Sequence, residues 1–325
     1  AMDGYAVHAE DVAPGATFTV VGQSSAGRRF EGMLDRGQAV RIFTGATVPA
    51  GATKILIQED VERDGETITV GPKIDAGAHI RPEGGDFAVG DRLSAPRVLG
   101  PADIALLAAM NIPEVEVMRR PVVALAPTGD ELLSPGGSPG PDKIIASNTF
   151  GLKAIVERAG GEGRMLPIAR DDQEHLSAVL EMAEDADLVV TTGGASVGDY
   201  DVLGNANAAL GLDLAFHRVA MRPGKPLMAG RLGKTPFIGL PGNPVSALVC
   251  GRVFVVPAVR ALLGLDATAP KRNRAQLTQA LSENGPREHY MRADVIQCDD
   301  GWRCTPADNQ DSSLLNILSA SNALL

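Results

Sequence analysis

The segment VVTTGGASVGDYD, residues 189–201, sets glycines directly after an apolar run that reads as a buried strand and before a stretch that reads as helix. Backbone amides in such a turn can cradle a phosphate, because glycine lets a ligand approach the main chain and a helix N-terminus attracts anions. A tight strand-to-helix turn with no ligand has the same spacing. Gly193 and Gly198 carry the glycine spacing of a Walker A loop, yet Asp199 stands where that loop needs lysine, so that reading fails. Gly194-Ala195-Ser196-Val197-Gly198 also satisfies GxSxG, the nucleophile elbow of serine hydrolases. Such an enzyme needs an acid and a base as well, for which Asp213 with His217 or His289 are available, but the sequence has no HGGG-type oxyanion motif.

Carboxylates gather at neighbouring loop positions: Asp130 and Glu131 in PTGDELL, Asp171 and Asp172 in ARDDQ, and Asp199 and Asp201 in GDYD. Each pair follows or adjoins an expected strand end. Carboxylates converging on one crevice repel unless a hard cation lies between them, and magnesium prefers oxygen ligands beside phosphates. Helix caps or solvated charges are the plainer reading, and for Asp172 capping is preferred. MRPGKPLMAG, residues 221–230, sets Arg222 and Lys225 around a Pro-Gly turn followed by Pro226, a pairing suited to an oxyanion or simply to solvent. GLPGNPVSAL, residues 239–248, starts a helix after a glycine turn, with Asn243 and Ser246 able to bond an anion or to cap.

The elements that must position these residues follow from patterning. Up to about Ile80 the chain shows short β-prone runs, Thr17 to Val21, Ala39 to Phe43, Lys54 to Gln58 and Thr67 to Val70, with Asp64-Gly65 as a hairpin turn. Pro101 to Met110 reads as a short helix ended by Asn111, and Glu114 to Val117 as a strand. From Arg120 the pattern becomes strand and helix in alternation up to Leu265. Val122 to Ala126 is a strand, Ser147-Asn148 starts a helix that ends at Gly160-Gly161, Asp172 caps a second helix, and Leu188 to Thr191 is a buried strand. Alternation of this kind predicts a mostly parallel sheet whose ligand crevice lies at the carboxyl ends of the strands. After the basic linker Lys271 to Arg274, β-like runs return over Gln276 to Leu281, Tyr290 to Gln297 and Trp302 to Thr305, with a turn at Asp299-Asp300-Gly301.

A chain of 325 residues with 44% hydrophobic and 22% charged residues is that of a multidomain globular protein. Its net charge of −10 argues against a general nucleic-acid binder and requires local positive potential for any anionic ligand. Cys250, Cys298 and Cys304 form no CxxC pair and share no metal-ligand spacing with the histidines, which points to a reduced, cytoplasmic setting. No apolar run is read as approaching the roughly 20 residues of a membrane helix.

Nine segments, in this order, resemble the molybdopterin molybdenumtransferases, relatives of the E domains of plant Cnx1 and animal gephyrin. They are AMDGYAV (1–7), RIFTGATVP (41–49), IRPEGGD (80–86), TGDEL (128–132), SN (147–148), RDD (170–172), GGASVGDYD (193–201), RPGKP (222–226) and LPGNPVSAL (240–248). The resemblance implies a multidomain α/β plus β protein: a β-rich domain over 1–85, a small linking domain over 86–119, an α/β molybdopterin-binding domain with a mostly parallel sheet over 120–267, and a β-barrel-like C-terminal domain over 268–325. It also implies a leader before AMDGYAV, further strands after Leu325, and a homodimer in which Thr44 and Asp86 of one protomer face Glu131 and Asp199 of the other.

The implied reaction uses adenylylated molybdopterin, molybdate and magnesium and yields AMP and molybdenum cofactor. Carried over residue by residue, Gly193, Gly194, Ser196 and Gly198 hold the pterin phosphate, with Thr44, Asp130 and Asn243 as further ligand contacts. Glu131 and Asp199 serve magnesium or the hydrolytic step, with Asp172 and Asp86 as further catalytic carboxylates. Arg222, Lys225, Pro226 and Ser246 resemble the oxyanion residues, with Arg292 and Ser312 from the last domain. Arg222 replaces the lysine common in the family, which keeps the charge and changes its geometry. Tungstate insertion, adenylyl transfer to molybdopterin, a pterin-binding scaffold and the GxSxG hydrolase are the alternatives to molybdenum insertion, and a molybdopterin adenylyltransferase is a candidate partner.

Overall fold

The computed structural model describes residues 2–194, 211–268 and 272–325. Two compact units emerge, Ala1–Leu93 and Ser94–Leu325.

The first unit holds a six-stranded sheet of β1 (Gly4–Val7), β2 (Thr17–Ser24), β3 (Gln38–Ile42), β4 (Lys54–Ile57), β5 (Val61–Asp64) and β6 (Thr67–Val70), in the order β4-β1-β3-β2-β6-β5. Period-two side-chain alternation feeds two cores. Tyr5 and Val7 pack with Phe18, Leu56 and Ile68, while the intervening Ala6 packs with Leu34, Val40, Ile42 and Ile55. A side chain on Gly4 would collide with the Leu56 carbonyl, so the glycine of AMDGYAV is there for close strand approach. The hairpin at Asp64-Gly65 forms as expected, with Asp64 opposite Thr67 and Gly65 at φ +58.

In the second unit α1 (Pro101–Ala109) begins at proline, with the Asp103 carboxylate accepting the Gly100 N–H at 2.8 Å, and ends beside Asn111 at φ +60. The strand expected over Glu114 to Val117 does not form. That stretch has no neighbouring strand among the described residues to complete its hydrogen bonds, and Val117 is 73% exposed.

The α/β sheet joins β7 (Val122–Pro127), β10 (Glu162–Met165), β11 (Leu188–Thr192), β12 (Leu212–Phe216), β14 (Met228–Leu232) and β15 (Thr235–Leu240) in the order β10-β7-β11-β15-β14-β12. Strands β10, β7, β11 and β15 are parallel, whereas β14 and β12 add an antiparallel edge. Strict alternation of strand and helix therefore stops short of Leu265: Gly233, at φ +59, turns β14 back into β15 with no helix between them. Helices α2 (Asn148–Arg158) and α4 (Pro244–Leu262, containing a π turn) pack with Val123, Leu125 and Val190 in one core. Helix α3 (Gln173–Glu181) packs with Ala124, Ala126 and Val189 in the other.

Helix α4 passes for a membrane span by length and composition alone, with mean hydropathy 1.8 over an 18-residue window, although Arg252 and Arg260 interrupt its apolar residues. Val245, Val249, Val255 and Val259 put this apolarity into the sheet's core.

At the C-terminal end β16 (Gln276–Leu277), β18 (Arg292–Cys298), β19 (Gly301–Pro306) and β20 (Ala323–Leu324) form a sheet in the order β16-β19-β18-β20, and α5 spans Leu315–Ala320. The expected Asp299-Asp300-Gly301 turn joins β18 to β19, with Gly301 at φ +126. Outside these sheets β8 (Leu132–Leu133) pairs in parallel with β9 (Ile144–Ile145), and β13 (Met221–Arg222) with β17 (Glu288–His289). All three cysteines are free, and burial pushes the Cys250 thiol up to about 12, so it is inert as a nucleophile.

Candidate functional site

A cavity of about 630 Å³ opens at the carboxyl ends of β7, β11 and β15. Main-chain bonds knit its floor: Thr128 N–H donates to Thr192 O at 2.9 Å, and Gly193 N–H to Leu240 O at 3.1 Å. Gly193 (φ +91) and Gly194 (φ +65) are left-handed, and a Cβ on Gly193 would lie 2.5 Å from the Thr128 carbonyl oxygen. The glycines thus let the chain leave β11 sharply and leave the cavity wall as bare backbone. Asn148 Nδ2 donates to Gly242 O at 2.7 Å, fixing the second glycine turn of the rim.

Glu131, Asp171, Pro226, Asn243 and Ser313 also line this cavity. Glu131 folds back over Gly129, whose own left-handed conformation (φ +145) leaves room for the carboxylate. Asp130 and Asp171 are linked through their main chains, Asp171 N–H donating to Asp130 Oδ1 at 3.3 Å and Asp130 N–H to Asp171 Oδ2 at 3.4 Å. Asp172 Oδ1 accepts the His175 N–H at 2.8 Å and caps α3, so Asp171 rather than Asp172 faces the cavity. Asn243 precedes α4 without a side-chain capping bond. Ser246 is buried on the first turn of α4, and Val245 N–H donates to Ser312 O at 3.0 Å, which ties the 309–313 loop to that helix.

Of the oxyanion candidates, Pro226 lines this cavity, while Arg222 and Arg292 lie close enough to act on one another. Arg292 is fully buried and donates from Nη2 to the carbonyls of Asn309 and Asp311, each at 3.1 Å. Its Nε and Nη1 are buried with no partner among the described residues. Burial is the main cause lowering the Arg292 pKa; the Asp311 carboxylate opposes this and the nearby Arg222 adds to it. His289 is the register partner of Arg222, and its Nε2 is likewise buried with no partner among the described residues. Burial first, then the charges of Arg222, Arg292 and Arg287, hold its imidazole below the usual range. A base that must accept a proton among guanidinium groups is poorly placed for a hydrolase triad. Lys225 is exposed after the buried Pro223-Gly224 turn and beside the cavity residue Pro226, and its carbonyl accepts the Leu227 N–H at 3.0 Å. Gly224, at φ +115, shapes this turn, since a side chain there would collide with Cys250 Sγ.

Thr44 and Asp86 belong to the first unit. Thr44 donates its N–H (2.6 Å) and hydroxyl (2.9 Å) to Asp3 Oδ1, and these bonds, first the backbone one, lower the Asp3 pKa. Arg41 lies 4.9 Å from the centroids of both Tyr5 and Phe43. Asp3 and Arg41 escaped the sequence reading, which had no signal for their contacts across β1 and β3. Ser196, Gly198, Asp199 and Asp201 lie outside the described residues. Among the described residues no three His, Cys, Asp or Glu side chains form a metal-sized cluster. Glu131 and Asp171 nevertheless present hard oxygen donors beside the glycine turn, the chemistry magnesium accepts.

Residues 124–261 match a probable molybdopterin binding domain, 1–111 the MoeA N-terminal region (domain I and II), and 274–325 the MoeA C-terminal region (domain IV). The chain is 36% identical to a molybdopterin molybdenumtransferase of Nostoc sp., over 100% of its own length and 77% of that protein's. The chain belongs to the molybdopterin molybdenumtransferase (MoeA) family. A second relative, molybdopterin molybdenumtransferase 2 of Mycobacterium tuberculosis, is 39% identical over 90% of this chain and 75% of its own. A solved MoeA structure from Pyrococcus horikoshii superposes with a TM-score of 0.81 at 27% identity, covering 100% of this chain and 81% of that one. Membership places the chain in molybdenum cofactor biosynthesis as a transferase. It also bears out the β-rich, α/β and C-terminal sheet architecture.

Proposed function

We propose that this chain inserts molybdate into adenylylated molybdopterin, cleaving its phosphoanhydride and releasing AMP. The observation that carries the reading is a backbone-walled cavity with a carboxylate over it, in the same unit as a fully buried arginine with two unpartnered donor atoms. An acidic protein leaves a guanidinium so under-satisfied where a ligand completes it. The glycine turn at Gly193-Gly194 and the positive end of the α4 dipole, both of which meet the cavity as main chain, attract phosphate oxygens. Arg222, Lys225 and Arg292 hold the oxyanion, with Ser246 and Ser312 beside them. Glu131, with Asp199, orients the attacking water and would hold magnesium. Magnesium, when bound, neutralises charge developing on the phosphate oxygens. A homodimer in which Thr44 and Asp86 come from the partner completes the site, in the reduced setting that three free thiols suit.

Incubation with adenylylated molybdopterin, magnesium and either molybdate or tungstate tests this, with AMP and pterin-bound metal as readouts. Equal AMP release and metal incorporation in molybdate are expected. Pyrophosphate release from ATP and unmodified molybdopterin, or pterin binding without turnover, would replace the reading with adenylyl transfer or a scaffold. Sedimentation of fully active enzyme as a monomer would remove the shared site.

A further inference from the structure

Among the described residues His289 and Arg292 both carry buried nitrogens without a partner and both feel the charge of Arg222. Register places His289 directly opposite Arg222 in the β13·β17 pair, and directly paired residues project from the same face. Main-chain bonds fix that register: Glu288 N–H donates to Ala220 O at 2.9 Å and Tyr290 N–H to Arg222 O at 2.8 Å. The ring therefore stays beside the guanidinium.

We propose that His289 is a specificity-determining residue of the oxyanion site, donating its Nε2–H to an oxygen of the anion that Arg222 and Arg292 attract. This rests on the oxyanion reading of the preceding section. The groups facing the ring leave little other role. Arg222 comes from β13, and Arg287 and Arg292 from the flanks of its own strand, all cationic. Glu288 turns to Arg272 at 2.7 Å, and Asp311 acts on Arg292. No carboxylate is bonded to His289 among the described residues, so in the tautomer with its proton on Nε2 a buried N–H is left for an incoming acceptor. A neutral imidazole among three guanidinium groups keeps one donor without adding repulsion, and a tetrahedral dianion brings the acceptor that both it and Arg292 lack. Such a site takes a compact oxyanion with oxygens on several sides rather than a planar carboxylate.

The test measures molybdate binding to the full chain by calorimetry, alongside thermal unfolding. His289→Leu should weaken binding about tenfold, the loss of one hydrogen bond to a charged acceptor, whereas His289→Gln, which keeps an N–H donor, should stay within about threefold of wild type. In ¹⁵N-histidine-labelled wild type, the His289 ring signal should move when molybdate is added, a readout that needs no variant to fold. An unmoved ring signal, or equal affinities for wild type and His289→Leu, overturns the role of His289. Arg292→Gln separates the two readings. If it abolishes binding while His289→Leu does not, only the histidine is misassigned. If neither changes binding, the oxyanion site itself is wrong.

Discussion

The two anion-seeking regions of the second unit are built from opposite materials. The cavity at the strand ends is walled by main chain, with left-handed Gly193 and Gly194, the Asn148-held turn at Gly242 and a carboxylate at its mouth. The Arg222/Arg292/His289 cluster is instead built of side chains, an exposed Arg222 beside Arg292 and His289, whose buried nitrogens lack partners among the described residues. Backbone amides bind phosphate oxygens without bringing net charge into a protein of −10, and they leave room for acidic chemistry beside them. Buried guanidinium groups bring charge at a desolvation cost and hold an anion in a defined place. The first region suits a substrate that must be cleaved, the second an anion that must be delivered intact.

Variants sharpen this contrast. The largest effect should follow Glu131→Gln, which removes a carboxylate from the backbone-walled cavity and should lower AMP release by roughly 10²- to 10⁴-fold. Pterin affinity should change little, because the glycine-turn amides remain; equilibrium binding of the adenylylated pterin checks this. Loss of affinity matching the loss of turnover would show that the carboxylate binds rather than reacts.

In the cationic region, Lys225→Gln and Arg292→Gln should each raise the molybdate concentration for half-maximal AMP release about tenfold or more, the equivalent of roughly 1.5–3 kcal/mol per charged hydrogen bond. Titrating molybdate at saturating pterin measures it. If Glu131→Gln moves the molybdate requirement and Lys225→Gln does not, the assignment of the two regions is reversed.

Gly193→Ala places a side chain at φ +91 and against the Thr128 carbonyl, so unfolding free energy in urea should fall by roughly 1–3 kcal/mol. Asp172→Ala should lose roughly 0.5–2 kcal/mol by the same measurement, the worth of the α3 cap, and Asp172→Asn should recover most of it. An equal fall in AMP release for both Asp172 variants would add a catalytic role to the cap.

The smallest effect is a pH slope. The folded pKa of His289 lies below its ordinary 6.5, so its contribution to stability is present above that value and is lost as pH falls below it toward the folded pKa. Unfolding followed across that window should show a slope in wild type that His289→Gln reduces and that molybdate, by offsetting the guanidinium charge, also reduces.

Much of the architecture was legible from patterning because the responsible interactions are local. The helices at Pro101, Asn148 and Gln173 begin at proline or a capping residue, and the turns at Gly65 and Gly301 need left-handed glycine; spacing alone shows such features. The ordered motifs likewise carried the family, and so the architecture. Tertiary structure decided the remainder. Whether Glu114 to Val117 pairs depends on a neighbour no local pattern contains, and the apolarity of α4 reads as core only once the sheet lies against it. Asp171 and Asp172 are adjacent and chemically alike, and only the start of α3 turns one into a cap and the other toward the cavity. His289 is distant from Arg222 in sequence. The β13·β17 pairing makes them neighbours, and burial leaves the histidine's donor waiting for an acceptor.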